Sequence, residues 1–349
     1  MSMSSSSRPT LLVGSVPLES AEAVLSTAGD ILGGSLRSIP DGETGERLGW
    51  YTWQQGVLGR ACFLKRTGCG SGNDEGVDQF EFGRFSVSGD LAGADFGKLG
   101  YADAAIASYK MFGALREKGK IPGGVRFQVS LPTPIAPLAA MIEPGDYLKV
   151  EPIYEAAMRK EIQGMCNAIP VDDLAIQWDV AMEIGILEGL LMLGGKKIFL
   201  DPMKDMVDRL VKVVGWVPER VNLGLHFCYG DYQHKHWKEP KDTGLMVQLA
   251  NRIFAGISRK LHWLHLPVPR NRDDDAYFAP LADLKLPNET QLYLGLVHYT
   301  DGLEGGKRRM KTAARHVSGF GIATECGLGR RPPETIPDVM KLMVMLASV

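Results

Sequence analysis

The sequence has no charge excess of either sign. Its 39 Lys and Arg stand against 41 Asp and Glu, a formal net charge of -2 over 349 residues. A basic footprint for a phosphate backbone is missing, so no nucleic-acid partner is expected. Long apolar runs are missing as well, each being broken by charge or too short to cross a bilayer, and no membrane association is expected. Cysteine is scarce and odd in number, with five residues whose spacing suggests no disulfide framework. Residues 1–10 lack the basic region and apolar core of a signal peptide and read as a polar, disordered lead. A cytoplasmic location follows as the default. Two short charged clusters, Lys235-His236-Trp237-Lys238 and Asp273-Asp274-Asp275, read as solvated loops.

The chain does have a regular alternation of elements. Short apolar runs at 11–16 and 35–39 end at Pro17 and Pro40, with helical spacing over 19–32 between them. Further apolar strands are expected at 125–131, 174–180, 221–227, 261–266, 291–297 and 320–324. Helical patterns fall at 154–168, 203–214, 243–257, 307–317 and 336–347. Residues 56–98 are irregular and Gly-punctuated, with short strands around 80–87, and read as an insertion over one face. Eight strands, each followed by a loop and usually a helix, argue for one (β/α)8 TIM barrel over residues 11–349. An open dinucleotide-binding sheet is the alternative, but Val13-Gly14-Ser15-Val16-Pro17 has one glycine and a proline where the binding helix should start.

A barrel of this kind carries its active site at the C-terminal ends of the strands. His226 and Cys228 close the fifth expected strand, two residues apart and so on one face. Cys326 closes the last strand, beside Gly327. Imidazole and thiolate suit tetrahedral zinc, which can leave a position for substrate. The same residues are equally compatible with two buried core cysteines beside a core histidine.

Leu225-His226-Phe227-Cys228-Tyr229-Gly230 resembles the His-x-Cys metal segment of the cobalamin-independent methionine synthase family. Glu325-Cys326-Gly327-Leu328-Gly329-Arg330-Arg331 is similar to that family's C-terminal Cys-Gly-Leu segment, and Gly14-Ser15-Val16-Pro17 to its Gly-Ser-Phe-Pro opening. The resemblance runs as separated motifs from about residue 11 to 349. It implies a catalytic barrel with zinc on His226, Cys228 and Cys326. Asp41-Gly42-Glu43 with Arg47 resembles the family's Gly-Glu segment, and Gln177-Trp178-Asp179 its Gln-Ile-Asp segment. Glu43 and Asp179 would then hold a polar handle of the substrate, with Ser15 and Gln128 also substrate-binding. Arg126, Ser130 and Thr133 could share the third strand's mouth with Gln128, or cap backbone groups.

Three departures from the family stand out. Where it has a glutamate ligand, this chain reads Trp263-Leu264-His265-Leu266-Pro267, which makes His265 the expected fourth ligand, with His262 pointing to the other face. The catalytic histidine of the seventh strand is replaced by His298 in His298-Tyr299-Thr300-Asp301, out of register. The duplicated N-terminal barrel of the long synthases has no room here. The resemblance implies zinc-dependent transfer of a methyl or alkyl group from a donor to a small thiol, activated as a zinc thiolate, with Glu43, Asp179 and His298 as catalytic residues. Other zinc-thiolate chemistry on the same barrel, such as thiol addition to an epoxide or a lyase reaction, and a metal-free barrel without catalysis are the alternatives.

Overall fold

The computed structural model describes residues 7–70, 82–190, 198–232 and 235–349. Eight parallel strands form the interior: Thr10–Leu11 (β1), Ser38–Pro40 (β2), Arg126–Pro132 (β3), Leu174–Val180 (β4), Asn222–Phe227 (β5), Trp263–Pro267 (β6), Gln291–Val297 (β7) and Gly321–Thr324 (β8). They pair in the order β1-β8-β7-β6-β5-β4-β3-β2. A parallel bridge from Thr10 to Leu36 brings the two ends together, giving a nearly closed barrel. The longer helices around it are Ala21–Ile31 (α1), Tyr101–Glu117 (α2), Tyr147–Ala168 (α3), Pro202–Val214 (α4), Gly244–Gly256 (α5), Gly302–Ala313 (α6) and Ile336–Ala347 (α7). Contacts of α1 with α2, α2 with α3, α4 with α5, α6 with α7, and α7 with α1 wrap the barrel. This is the (β/α)8 architecture expected from the alternation of elements.

The strands are buried on both faces, and alternate residues divide the two environments. On β4, Leu174, Ile176, Trp178 and Val180 join the core shared with the helices. Ala175 belongs instead to a separate cluster inside the barrel with Leu11, Trp263, Tyr293 and Ala323. That inner layer is made by fitting large rings over missing side chains. A Cβ at Gly224 would come within 1.9 Å of the Trp263 indole, and one at Gly321 within 2.5 Å of the Tyr293 ring.

Strand β1 is shorter than the 11–16 run suggests. The Val13 carbonyl accepts from Gln177 Nε2 at 2.5 Å, Gln128 Nε2 at 3.0 Å and Ser130 Oγ at 3.1 Å. Side chains of β3 and β4 thus satisfy the carbonyl that would have continued the ladder. The chain bends inward there, and Gly14 and Ser15 come over the barrel mouth.

Arg8 donates through its backbone N–H to the Ala347 carbonyl and through its guanidinium to Phe320 O, so the expected lead joins the barrel from Arg8 onward. Residues 1–6 lie outside the described residues. In the 56–98 insertion, Leu64–Gly70 pairs antiparallel with Phe82–Val87, and residues 71–81 lie outside the described residues. Among the described residues no helix is long and apolar enough to cross a membrane.

Candidate metal centre

Strand register assembles the site. Asp179 on β4 lies beside His226 on β5, which lies beside His265 on β6, all three pointing into the barrel near its C-terminal mouth. Cys228 follows two residues after His226, and its backbone N–H donates to the Val180 carbonyl, which continues the ladder by one step. Cys326 arrives from the other side, two residues after β8 ends. Its position depends on close approach of the following turn, since a Cβ at Gly327 would meet Ser15 Oγ at 2.5 Å.

His226, Cys228 and Cys326 form a cluster able to hold a metal ion, with ligand atoms all within 4.8 Å of one another. Cys228 Sγ is 3.5 Å from Cys326 Sγ, far beyond the roughly 2.05 Å of a disulfide. His226 Nε2 is 3.7 Å from Cys326 Sγ. A tetrahedral centre at ordinary Zn–S and Zn–N lengths has S···S and S···N edges of about 3.6 to 3.8 Å. The donor set therefore suits a metal ion in kind, and two of its three edges match in spacing.

The histidine pair fixes which nitrogen faces the cluster. His265 Nε2 lies 3.1 Å from the Thr324 carbonyl, which can only accept, so Nε2 carries the proton. In the neutral ring Nδ1 is then an acceptor. His226 Nδ1 lies 2.6 Å from it and must donate, leaving His226 Nε2 with its lone pair toward the two sulfurs. Burial keeps both rings neutral: it holds His226 down at about 3, and burial with the neighbouring His226 holds His265 well below the usual imidazole range. His265 was expected as a fourth ligand. Its Nε2 faces the Thr324 carbonyl and its Nδ1 faces His226, and it lies outside the cluster of three. His262 accepts from Leu223 N–H near the opposite mouth.

Above the cluster lies a cavity of about 250 Å3, lined by Ser15, Glu43, Asp179, Trp237 and Arg330 among others, with His226, Cys228 and Cys326 in its floor. Glu43 reaches it from a turn in which it takes φ 50°, a left-handed conformation uncommon for a non-glycine residue. The turn is braced by Asp41, which accepts from the Glu43 N–H, from Arg47 at 2.7 Å and from Ser108 at 2.7 Å. Arg47 thus pairs with Asp41, and Glu43 is turned toward the cavity. Burial, then the charges of Asp179 and Asp41, push the Glu43 carboxyl well above its usual range. Burial does the same to Asp179, against the hydrogen bond from Gln177. Two crowded, buried carboxyls of this kind suit a cationic group placed between them.

Gln128, expected to bind substrate, is buried below the cavity. Its amide donates to Leu12 O and Val13 O and its oxygen accepts from Ser38, so it holds the inward bend of β1. His298, expected as a catalytic residue, donates from Nε2 to Val268 O at 2.8 Å, with Nδ1 3.7 Å from Glu325. It lines a separate cavity of about 70 Å3 behind Cys326.

The run 235–238, read as a solvated loop, contributes to the site. Trp237 forms part of the cavity wall, and His236 Nε2 lies 2.9 Å from Glu325. Burial opposes its charge, but the bond to Glu325 and the charges of Glu325 and Glu239 prevail and raise His236 to about 9. Trp50 and Tyr51 also line the cavity and carried no motif.

No protein-family model matches the sequence, and no curated protein matches it. Solved structures are similar to it, among them the following three. A B12-independent methionine synthase from Shewanella sp. W3-18-1, in complex with selenomethionine, has 14% identity over 98% of this chain and 97% of that chain, with TM-score 0.63. A candidate vitamin-B12-independent methionine synthase from Listeria monocytogenes has 16% identity over 94% of this chain and 85% of that chain, with TM-score 0.58. A methyltransferase from Methanosarcina mazei has 14% identity over 99% of this chain and 94% of that chain, also with TM-score 0.58. At this identity the likeness is one of fold.

Proposed function

We propose that this protein is a zinc-dependent enzyme that transfers a methyl or other alkyl group to a small thiol. The observation that carries the reading is the His226–Cys228–Cys326 cluster beneath an open cavity, with its sulfur-to-sulfur and imidazole-to-Cys326 distances both those of a metal tetrahedron. His226 Nε2, Cys228 Sγ and Cys326 Sγ would hold the zinc. When bound, the ion lowers the pKa of a coordinated substrate thiol so that its sulfur is a nucleophile near neutral pH.

The chain's own residues do the rest. Hydrogen bonding from His226 to His265, and from His265 to Thr324 O, holds the imidazole in one tautomer and orientation. Glu43 and Asp179, across the cavity, would take the ammonium of an amino-acid thiol, whose charge relieves their mutual repulsion. Ser15, at the inward bend, would contact the same end of the substrate. Fixing acceptor and donor in one cavity lowers the entropic part of the barrier. The Shewanella synthase with bound selenomethionine supports an amino acid with a methylated chalcogen as the kind of molecule this cavity accommodates.

The test is mass analysis of products after zinc-loaded protein is incubated with homocysteine and with other small thiols, against a panel of methyl donors and epoxides. Formation of an S-alkyl product, abolished in Cys326→Ser, is the expected result. Turnover without any new carbon–sulfur bond, or full activity in Cys326→Ser, contradicts the reading.

A further inference from the structure

The wall of the cavity differs from its floor. Trp50, Tyr51 and Trp237 supply aromatic surface, and Glu43 and Asp179 supply carboxyls. Among the described lining residues, Arg330 at the exposed rim is the single lysine or arginine. The aromatic positions are built with some strain. Trp50 takes φ 58°, an outlier for a bulky residue. Trp237 reaches the wall only because position 230 has no side chain, as a Cβ there would lie 2.2 Å from the indole.

A second observation concerns the proton. Many methyl donors lose their methyl group only when the departing nitrogen is protonated. His298, the histidine nearest in sequence to that task, is turned away into a different cavity, its Nε2 committed to Val268 O.

We propose that the alkyl donor is a small onium compound, a quaternary ammonium or a sulfonium, whose methyl-bearing positive centre is held among Trp50, Tyr51 and Trp237. The inference rests on the thiol-alkylation reading and adds the chemical class of the donor. Aromatic faces attract such cations, most strongly where water is excluded. The reaction then needs no general acid. The acceptor sulfur uses a lone pair to form the new S–CH3 bond. The donor's C–N or C–S bond breaks with its electron pair going to the departing atom, which leaves as a neutral tertiary amine or thioether. A thiolate and a cation become two neutral molecules, and no oxidant or reductant takes part. Loss of opposite charges costs least in a poorly hydrated site, where both were incompletely solvated at the start.

Glycine betaine and 3,3-dimethylbutanoate test this directly. They share shape and carboxylate, so Arg330 meets both equally, and differ only in the charge of the trimethyl centre. Calorimetric titration of the zinc-loaded protein without thiol is expected to show betaine binding at least ~10-fold more tightly. That preference is expected to fall in Trp237→Leu and to persist in Trp237→Phe. Equal affinity of the wild-type protein for the two molecules overturns the proposal without recourse to any variant. Single-turnover reactions with betaine or dimethylsulfonioacetate and a thiol are expected to yield methylated thiol. Product from an uncharged donor alone overturns the onium proposal and leaves thiol alkylation standing. Selective betaine binding with no product from any donor overturns thiol alkylation instead.

Discussion

His265 contacts the candidate metal cluster through His226 alone and is not one of its three ligand groups. Its Nδ1 is the acceptor that keeps the proton of His226 on the far nitrogen, and a phenyl ring offers no such acceptor. His265→Phe is expected to lower zinc affinity by ~10- to 100-fold in chelator competition while leaving two sulfurs on the metal. His265→Asn, whose amide oxygen can still accept, is expected to recover part of that loss. Unchanged affinity in His265→Phe would remove the histidine from this role. A second buried group gives a pH dependence. Glu183 is fully buried in the short helix Met182–Leu187 after β4, and burial, outweighing hydrogen bonding from Thr133 and its own backbone, raises it to about 7. The folded chain therefore binds a proton there that the unfolded chain releases at a lower pH. Stability contributed by this group is fully present below its unfolded value of roughly 4.3 and declines as pH rises toward 7. Denaturant titrations of wild type and Glu183→Gln between pH 4.5 and 8 should diverge, the variant losing up to ~3 kcal/mol less across that range. Parallel curves would show that Glu183 does not titrate there.

Strand β5 shows how an element can serve packing and chemistry with alternate residues. Gly224 and His226 face the barrel interior, the first beneath Trp263 and the second beneath the cavity. Gly224→Ala would drive a methyl group into the indole, and Trp263 is held in place by its bond to Gln177. A loss of ~1–3 kcal/mol is expected in urea denaturation, with the slope unchanged. A variant as stable as wild type would mean the inner layer is looser than its contacts indicate. The elements also differ in how far they could be read from sequence. The strand 174–180 was legible to the residue because both faces are apolar or internally bonded. The helix Tyr101–Glu117 was not, because its buried face is Tyr101, Ala105, Ser108, Phe112 and Leu115, in which small and polar residues blur the period. Helix Tyr147–Ala168 begins seven residues before the expected 154, the chain accommodating Pro152 within its first turns. His226 and Cys228 were legible as a pair because their relation is local. The role of His265 was not, since it depends on the lateral register of β5 with β6, and Trp237 was hidden in a charged run whose position over Gly230 is a tertiary fact.

At the scale of the whole molecule, a nearly closed barrel brings positions 14, 43, 179, 226, 228 and 326 to one mouth, from segments spread over most of the chain. That convergence places a His/Cys/Cys floor able to hold a metal ion, two carboxyls and an aromatic wall around one cavity. The metal centre is the part of this account on which the rest depends. X-ray absorption at the zinc edge, with metal analysis of protein purified without added metal, measures it most directly. About one zinc per chain is expected, coordinated by two sulfurs and one imidazole nitrogen with the remaining position filled by a light atom from solvent or substrate. Replacing both Cys228 and Cys326 by serine should remove the zinc. A folded, active protein without zinc, or zinc bound with no sulfur neighbours, would contradict it.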